Sequence, residues 1–107
     1  MSVEKLKKSS QFSEVYKKGK SNATRLVVLY QLENGLGFNR VGYSVSKKVG
    51  NSVVRNRAKR LIKEAYRLNQ VKQTKSYDLV FIARVRMNTA EYLEVEKSVK
   101  RLLKDLK

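Results

Sequence analysis

Hydrophobic positions along the chain form three stretches of helical period and three of strand-like period, separated by polar and glycine-rich segments. Ser10 is placed to cap a short helix over Gln11 to Lys18, with Gly19 as its left-handed stop. Phe12, Val15 and Tyr16 recur at i, i+3 and i+4, so this helix carries one aromatic edge. The edge either packs on the core or lines a groove, and the pattern leaves both open. Residues 1–10, with Lys5, Lys7 and Lys8, read as a loosely docked arm, and Lys20 to Thr24 as a polar loop.

Arg25 to Leu32 is rich in β-branched and aromatic residues and predicts a strand. Its faces, Leu26/Val28/Tyr30/Leu32 and Val27/Leu29, are both apolar, which places it in a sheet covered on both sides. Glu33 to Gly37 is turn-rich, and Arg40 to Ser46 reads as a second strand, antiparallel to the first across that short connection. Val41, Tyr43 and Val45 occupy one face of it; Gly42, Ser44 and Ser46 occupy the other. Such a strand is either an ordinary half-exposed one or the floor of a shallow cleft.

A long helix follows, entered at Gly50 and capped by Asn51 or Ser52, ending near Leu68 to Val71 before a polar loop from Lys72 to Ser76. Val54, Ala58, Leu61, Ile62 and Ala65 fall within about a third of its circumference, enough to seat it on a core. Tyr77 to Arg84 is apolar almost throughout and predicts a central strand. Asn88 or Thr89 is placed to cap a last helix, whose stripe is Tyr92, Val95, Val99, Leu102, Leu103 and Leu106. The order α-β-β-α-β-α, with a βαβ-like unit around the long helix, predicts an α+β fold: a single-domain α/β sandwich spanning residues 1–107.

Charge changes this picture more than size does. The chain has 107 residues, with 25 Lys and Arg against 9 Asp and Glu, a net charge of +16. That excess points to a polyphosphate or an anionic membrane surface. No apolar run approaches the roughly 20 residues of a membrane span, and no signal-peptide core is present, so a cytosolic, cytoplasmic protein is expected. His and Cys are absent, which removes the commonest general base, the thiol nucleophile and the usual zinc ligands. The nine acids are scattered, although Glu91, Glu94 and Asp105 could gather along the last helix. The chain reads as a binder with no small-molecule substrate, no cofactor of its own and no metal site.

The charge concentrates on the long helix. Arg55, Asn56, Lys59, Arg60, Lys63 and Arg67 share one arc, opposed within the helix only by Glu64. Five cations on one arc repel one another unless an external anion is present. A solvated face that merely keeps the protein soluble is the bland alternative. Asn56 adds a neutral donor and acceptor suited to a sugar hydroxyl or a base edge.

From Lys47-Lys48-x-Gly50 through Arg55-Asn56-Arg57 to Lys59-Arg60, the stretch resembles the signature of the bacterial ribonuclease P protein family. The resemblance runs nearly full length. Phe12 and Tyr16 before Gly19, the Val28–Tyr30 strand, Gly42 ahead of Lys47-Lys48, and Tyr77-Asp78 opening a strand all match in order. Ser52 stands where alanine is usual, and Tyr16 where the aromatic is often Phe. The resemblance implies a protein subunit that binds a catalytic RNA and the single-stranded 5′ leader of precursor tRNA, in a ribonucleoprotein whose RNA-bound Mg²⁺ ions carry out the cleavage. By position it implies that Arg55, Asn56, Arg57, Lys59 and Arg60 contact that RNA; Lys63 and Arg67 join them from the charged arc. It also implies that Phe12, Tyr16, Val28, Tyr30, Ser44 and Lys48 line the leader cleft, and that the βαβ crossover is left-handed against the usual rule. A small basic ribosomal or other structured-RNA-binding protein is the main rival. A nuclease acting alone is disfavoured by the missing histidine and dispersed carboxylates.

Overall fold

In a computed structural model, residues 3–6, 9–70 and 74–106 are described, 3 and 4 by their backbone alone. The elements are β1 (Val3–Lys5), α1 (Ser9–Lys18), β2 (Lys20–Ala23), β3 (Val27–Glu33), β4 (Asn39–Val45), α2 (Ser52–Leu68), β5 (Tyr77–Ala83) and α3 (Tyr92–Lys104). A 3-10 turn over Val85–Thr89 links β5 to α3. The five strands form one mixed sheet in the order β1-β4-β5-β3-β2. β1 and β4, and β4 and β5, run parallel; β3 is antiparallel to both β5 and β2.

The expected α+β fold is present, with two strands added. Val3–Lys5 is the parallel edge strand beside β4, and Leu6 behind it is buried, so this part of the arm is docked. Lys7 and Lys8 lie outside the described residues. The expected loop Lys20 to Thr24 contains β2, exposed at every position. A polar edge strand with no buried face carries no alternation, because its register comes from backbone pairing with β3 alone.

β3 and β4 do not pair across their short connection, because β5 lies between them. Six of the seven β5 residues are buried, so this strand needs neighbours on both edges and layers on both faces. One face packs on α2 and α3, in rows Val41–Leu79, Tyr43–Phe81–Leu29 and Val45–Ala83–Val27. Leu26, expected on the opposite face, precedes β3 and joins this core instead. The other face carries the rows Gly42–Val80–Tyr30 and Ser44–Ile82–Val28, over which α1 packs through Val15. α1 is one ten-residue helix and covers this face incompletely; Val28, Tyr30, Ser44 and Ile82 stay partly exposed.

The helix ends correct three expectations. α1 begins at Ser9, which puts Ser10 inside its first turn. Gly19 accepts no left-handed backbone; it is required because a Cβ there would lie 2.5 Å from the Val15 carbonyl oxygen and 2.6 Å from that of Gln31. α3 is capped by Glu91 and not by Asn88 or Thr89, which belong to the 3-10 turn; Glu91 and Glu94 form a reciprocal capping box. At α2 the cap is Asn51, whose Oδ1 accepts the Val54 amide at 3.0 Å. α2 ends at Leu68, and Val71, Lys72 and Gln73 of the expected helix end and loop lie outside the described residues.

A buried polar cluster locks the far end of the sheet. Asp78 takes two bonds from Arg40, at 2.8 and 2.6 Å, and a third from Asn34 at 2.8 Å. These tie β4, β5 and the β3–β4 connection together at the end away from the turn into α2.

Candidate nucleic-acid interface

The incompletely covered face forms a cleft with α1 as its wall. The tip of the Phe12 ring rests over Gly42: a Cβ at Gly42 would come within 2.5 Å of Phe12 Cζ. Glycine at this point of β4 is what lets the ring reach the sheet. Tyr16, one turn on, is 40% exposed and meets Tyr30 edge-on, with centroids 5.1 Å apart. Its hydroxyl is hydrogen-bonded to the Ser44 side chain; burial pushes that hydroxyl above its ordinary value, while the Ser44 bond pulls the other way. The rings of Phe12 and Tyr16 are 6.5 Å apart, so the wall presents two aromatic surfaces in succession. Val15 of the same edge is fully buried. Val15 of the edge serves the core, whereas Phe12 and Tyr16 stay partly open to solvent.

The structure brings Phe12, Tyr16, Val28, Tyr30 and Ser44 to this one face. It adds Ile82, which stands between Ser44 and Val28 in the cross-strand row and forms the middle of the floor. Sequence reasoning missed Ile82 because β5 reads as apolar on both sides. Its signal was there once β5 is central: Val80 and Ile82 must share the face of Gly42 and Ser44. Lys48 is exposed in the turn that leaves β4 just beyond Ser44.

That turn joins the cleft to α2, which packs on the opposite face of the sheet. Ala58, Ile62, Ala65 and Tyr66 are buried, and Val54 and Leu61 half-buried, along its inner side. Tyr66 widens the expected stripe; its hydroxyl accepts a bond from Asn39 Nδ2 at 3.2 Å. Arg60, Asn56 and Arg67 are exposed, and Arg55, Arg57, Lys59 and Lys63 partly so. Arg67 pairs with Glu64, and the Lys63 ammonium stands 5.8 Å from the Tyr43 ring centroid. Arg55, Arg57, Lys59 and Arg60 have no ion-pair partner among the described residues, and the buried Arg55 Nε has no acceptor.

Among the described residues the carboxylates form no comparable site. Glu91 and Glu94 cap the start of α3, whereas Asp105 follows its end and accepts a bond from Asn22. These three, which the sequence allowed but did not favour as a cluster, stand at opposite ends of α3. No metal-ligating cluster is found among the described residues. No described helix is long and apolar enough to cross a membrane.

A family model described as Ribonuclease P matches residues 2–107. The chain belongs to the ribonuclease P protein family. It is 50% identical over 104 residues to the ribonuclease P protein component of Alkaliphilus oremlandii, covering 97% of this chain and 91% of the relative. To that of Clostridium kluyveri it is 55% identical over 106 residues, covering 97% and 95%. The ribonuclease P protein of Thermotoga maritima superposes with a TM-score of 0.86 at 29% identity, covering 97% of this chain and 98% of that one. That of Staphylococcus aureus gives 0.84 at 37% identity, covering 94% and 92%. The function is that of the protein component of ribonuclease P, and nothing favours the ribosomal alternative. Membership fits the inventory of side chains: a basic helix and an aromatic cleft.

Proposed function

We propose that this chain binds the catalytic RNA of ribonuclease P through α2 and holds the single-stranded 5′ leader of precursor tRNA in the cleft beside α1. The observation that carries the reading is the set of unpaired cations on α2. Five arginines and lysines (Arg55, Arg57, Lys59, Arg60 and Lys63) lie on one helix without a carboxylate partner among the described residues, so a bound polyanion relieves their mutual repulsion. Arg55, Asn56, Arg57, Lys59, Arg60, Lys63 and Arg67 meet phosphates and sugar edges of the catalytic RNA. A phosphate seated at Arg55 would also supply an acceptor to a guanidinium whose Nε lacks one.

Phe12, Tyr16, Val28, Tyr30 and Ser44, with Ile82 added, take the leader. Aromatic rings beside a shallow apolar floor suit unpaired bases, because every base has a face to stack and no sequence need be read. Lys48 at the mouth meets a leader phosphate. The protein contributes binding and position; Mg²⁺ held by the RNA supplies the chemistry of phosphodiester hydrolysis. The two surfaces occupy opposite faces of one sheet, joined by the Lys47–Val49 turn, so one rigid body fixes the leader relative to the RNA.

The test compares affinities of the reconstituted holoenzyme for precursor tRNA with and without a leader. Phe12→Ala and Tyr30→Ala should each weaken leader-bearing precursor by about 5- to 150-fold, the worth of one base–aromatic stack, and leave mature tRNA unchanged. Equal weakening of both substrates would show that these rings serve the core alone.

A further inference from the structure

Beside the basic arc, on the α2 side of the sheet, Tyr43, Arg60, Lys63, Tyr66, Arg67 and Gln70 line an open depression of about 430 Å³. The volume is within the roughly 300–1,000 Å³ of small-ligand sites. Its floor is aromatic. Phe81 stacks against one face of the Tyr43 ring, with centroids 5.8 Å apart and planes 13° from parallel, which leaves one face for a ligand. Tyr66 is a fixed wall, held by its bond to Asn39 and its packing on Phe81. The rim is cationic: Arg60, Lys63 and Arg67, with the single acid Glu64 already engaged by Arg67. Burial pushes the Tyr43 hydroxyl far above its ordinary value, so the ring stays a neutral phenol beside any phosphate.

An apolar shelf inside a ring of cations has a defined complement: a flat, uncharged aromatic group carried on a phosphate backbone. A bare phosphate would leave the Tyr43 face uncovered, and an apolar protein segment would leave Arg60 and Lys63 unmatched. We propose that the depression takes one unstacked nucleobase of the RNA bound along α2. The base lies on Tyr43 in the place now held by the Lys63 ammonium, and Arg60 and Lys63 meet the flanking phosphates. Lys63 keeps the shelf covered in the free protein through a cation–π contact that a base stack replaces. Gln70 at the mouth offers a donor and an acceptor to the base edge. The site rests on the reading of α2 as an RNA-binding helix and deepens it. It is separate from the leader cleft, which lies across the sheet.

Two measurements test it. In binding to ribonuclease P RNA, Tyr43→Leu should lose about 5- to 150-fold with an unchanged salt slope, while Tyr43→Phe binds like the wild type. Arg60→Ala should instead lower the slope. On the unmodified full chain, Tyr43 ring resonances should move upfield with a five-residue oligoadenylate and stay in place with an abasic ribose-phosphate oligomer of equal charge. That second measurement decides the matter if Tyr43→Leu fails to fold. Wild-type affinity in Tyr43→Leu, or equal shifts with the abasic oligomer, would overturn the pocket alone. Failure of the wild-type protein to bind the RNA at all would overturn the reading of α2 beneath it.

Discussion

Alanine at Gly42 tests the construction of the cleft directly. Its Cβ would lie 2.5 and 2.6 Å from Phe12 Cζ and Cε1 and 3.3 Å from Leu6 Cβ. Carbon atoms rest about 3.5–4.0 Å apart, so something must move by about 1 Å. β4 is held by β1 on one side and β5 on the other and has no room to retreat. The Phe12 ring must lift, and the α1 wall with it. Overpacking of this kind costs about 1–3 kcal/mol, partly offset by the 0.4–1 kcal/mol or so that replacing glycine gains from the unfolded chain. A net loss on the order of 1–2 kcal/mol remains.

Urea unfolding of Gly42→Ala, Phe12→Ala and the double variant isolates the contact. With the ring gone, the new methyl group fills space the ring has left, so the double variant should exceed additivity in stability by about 1 kcal/mol or more. Gly42→Ala alone should also weaken leader-bearing precursor tRNA, because the wall has shifted. If the penalties add within about 0.5 kcal/mol, Phe12 does not rest on Gly42 and the cleft as described is wrong.

Three further outcomes follow from the fold and its charge. Gly19→Asn should destabilise by about 2 kcal/mol in urea unfolding even though asparagine tolerates left-handed backbone, since the obstacle is two carbonyl oxygens; a neutral result would restore the helix-stop reading. Asp78→Ala should cost on the order of 3 kcal/mol, because it removes a buried carboxylate that takes two bonds from Arg40 and one from Asn34; a loss below about 1 kcal/mol would mean the cluster is an ordinary surface pair. Sulfate or phosphate should raise the unfolding midpoint progressively, by binding the folded cationic face; a midpoint indifferent to anions and to RNA would contradict the self-repulsion assigned to α2.

Legibility in the sequence followed how each element is held. α2 and its Asn51 cap were readable because a 3.6-residue stripe and a side-chain cap are local facts about consecutive residues. The cleft floor was readable in part through the small-residue face of β4. Ile82 escaped because its strand is apolar on both sides, and only the pairing Ser44–Ile82–Val28 decides which face it serves. β1 and β2 were illegible for a different reason: edge strands held by backbone hydrogen bonds leave no hydrophobic period. The neighbour relation of β3 and β4 was misread from their short connection. What overrides it is the burial of β5, a strand that reaches its place only through the α2 crossover. Gly19 was assigned the commonest role of a helix-terminal glycine, whereas its role depends on the Gln31 carbonyl of a strand twelve residues away.

The central claim is that this chain acts through an RNA that carries the catalytic chemistry. The most direct measurement adds the purified protein to a bacterial ribonuclease P RNA at low Mg²⁺ and follows removal of the 5′ leader from precursor tRNA. Cleavage should be strongly stimulated by the protein and absent when the RNA is left out. No stimulation, or cleavage by the protein without RNA, would contradict the account.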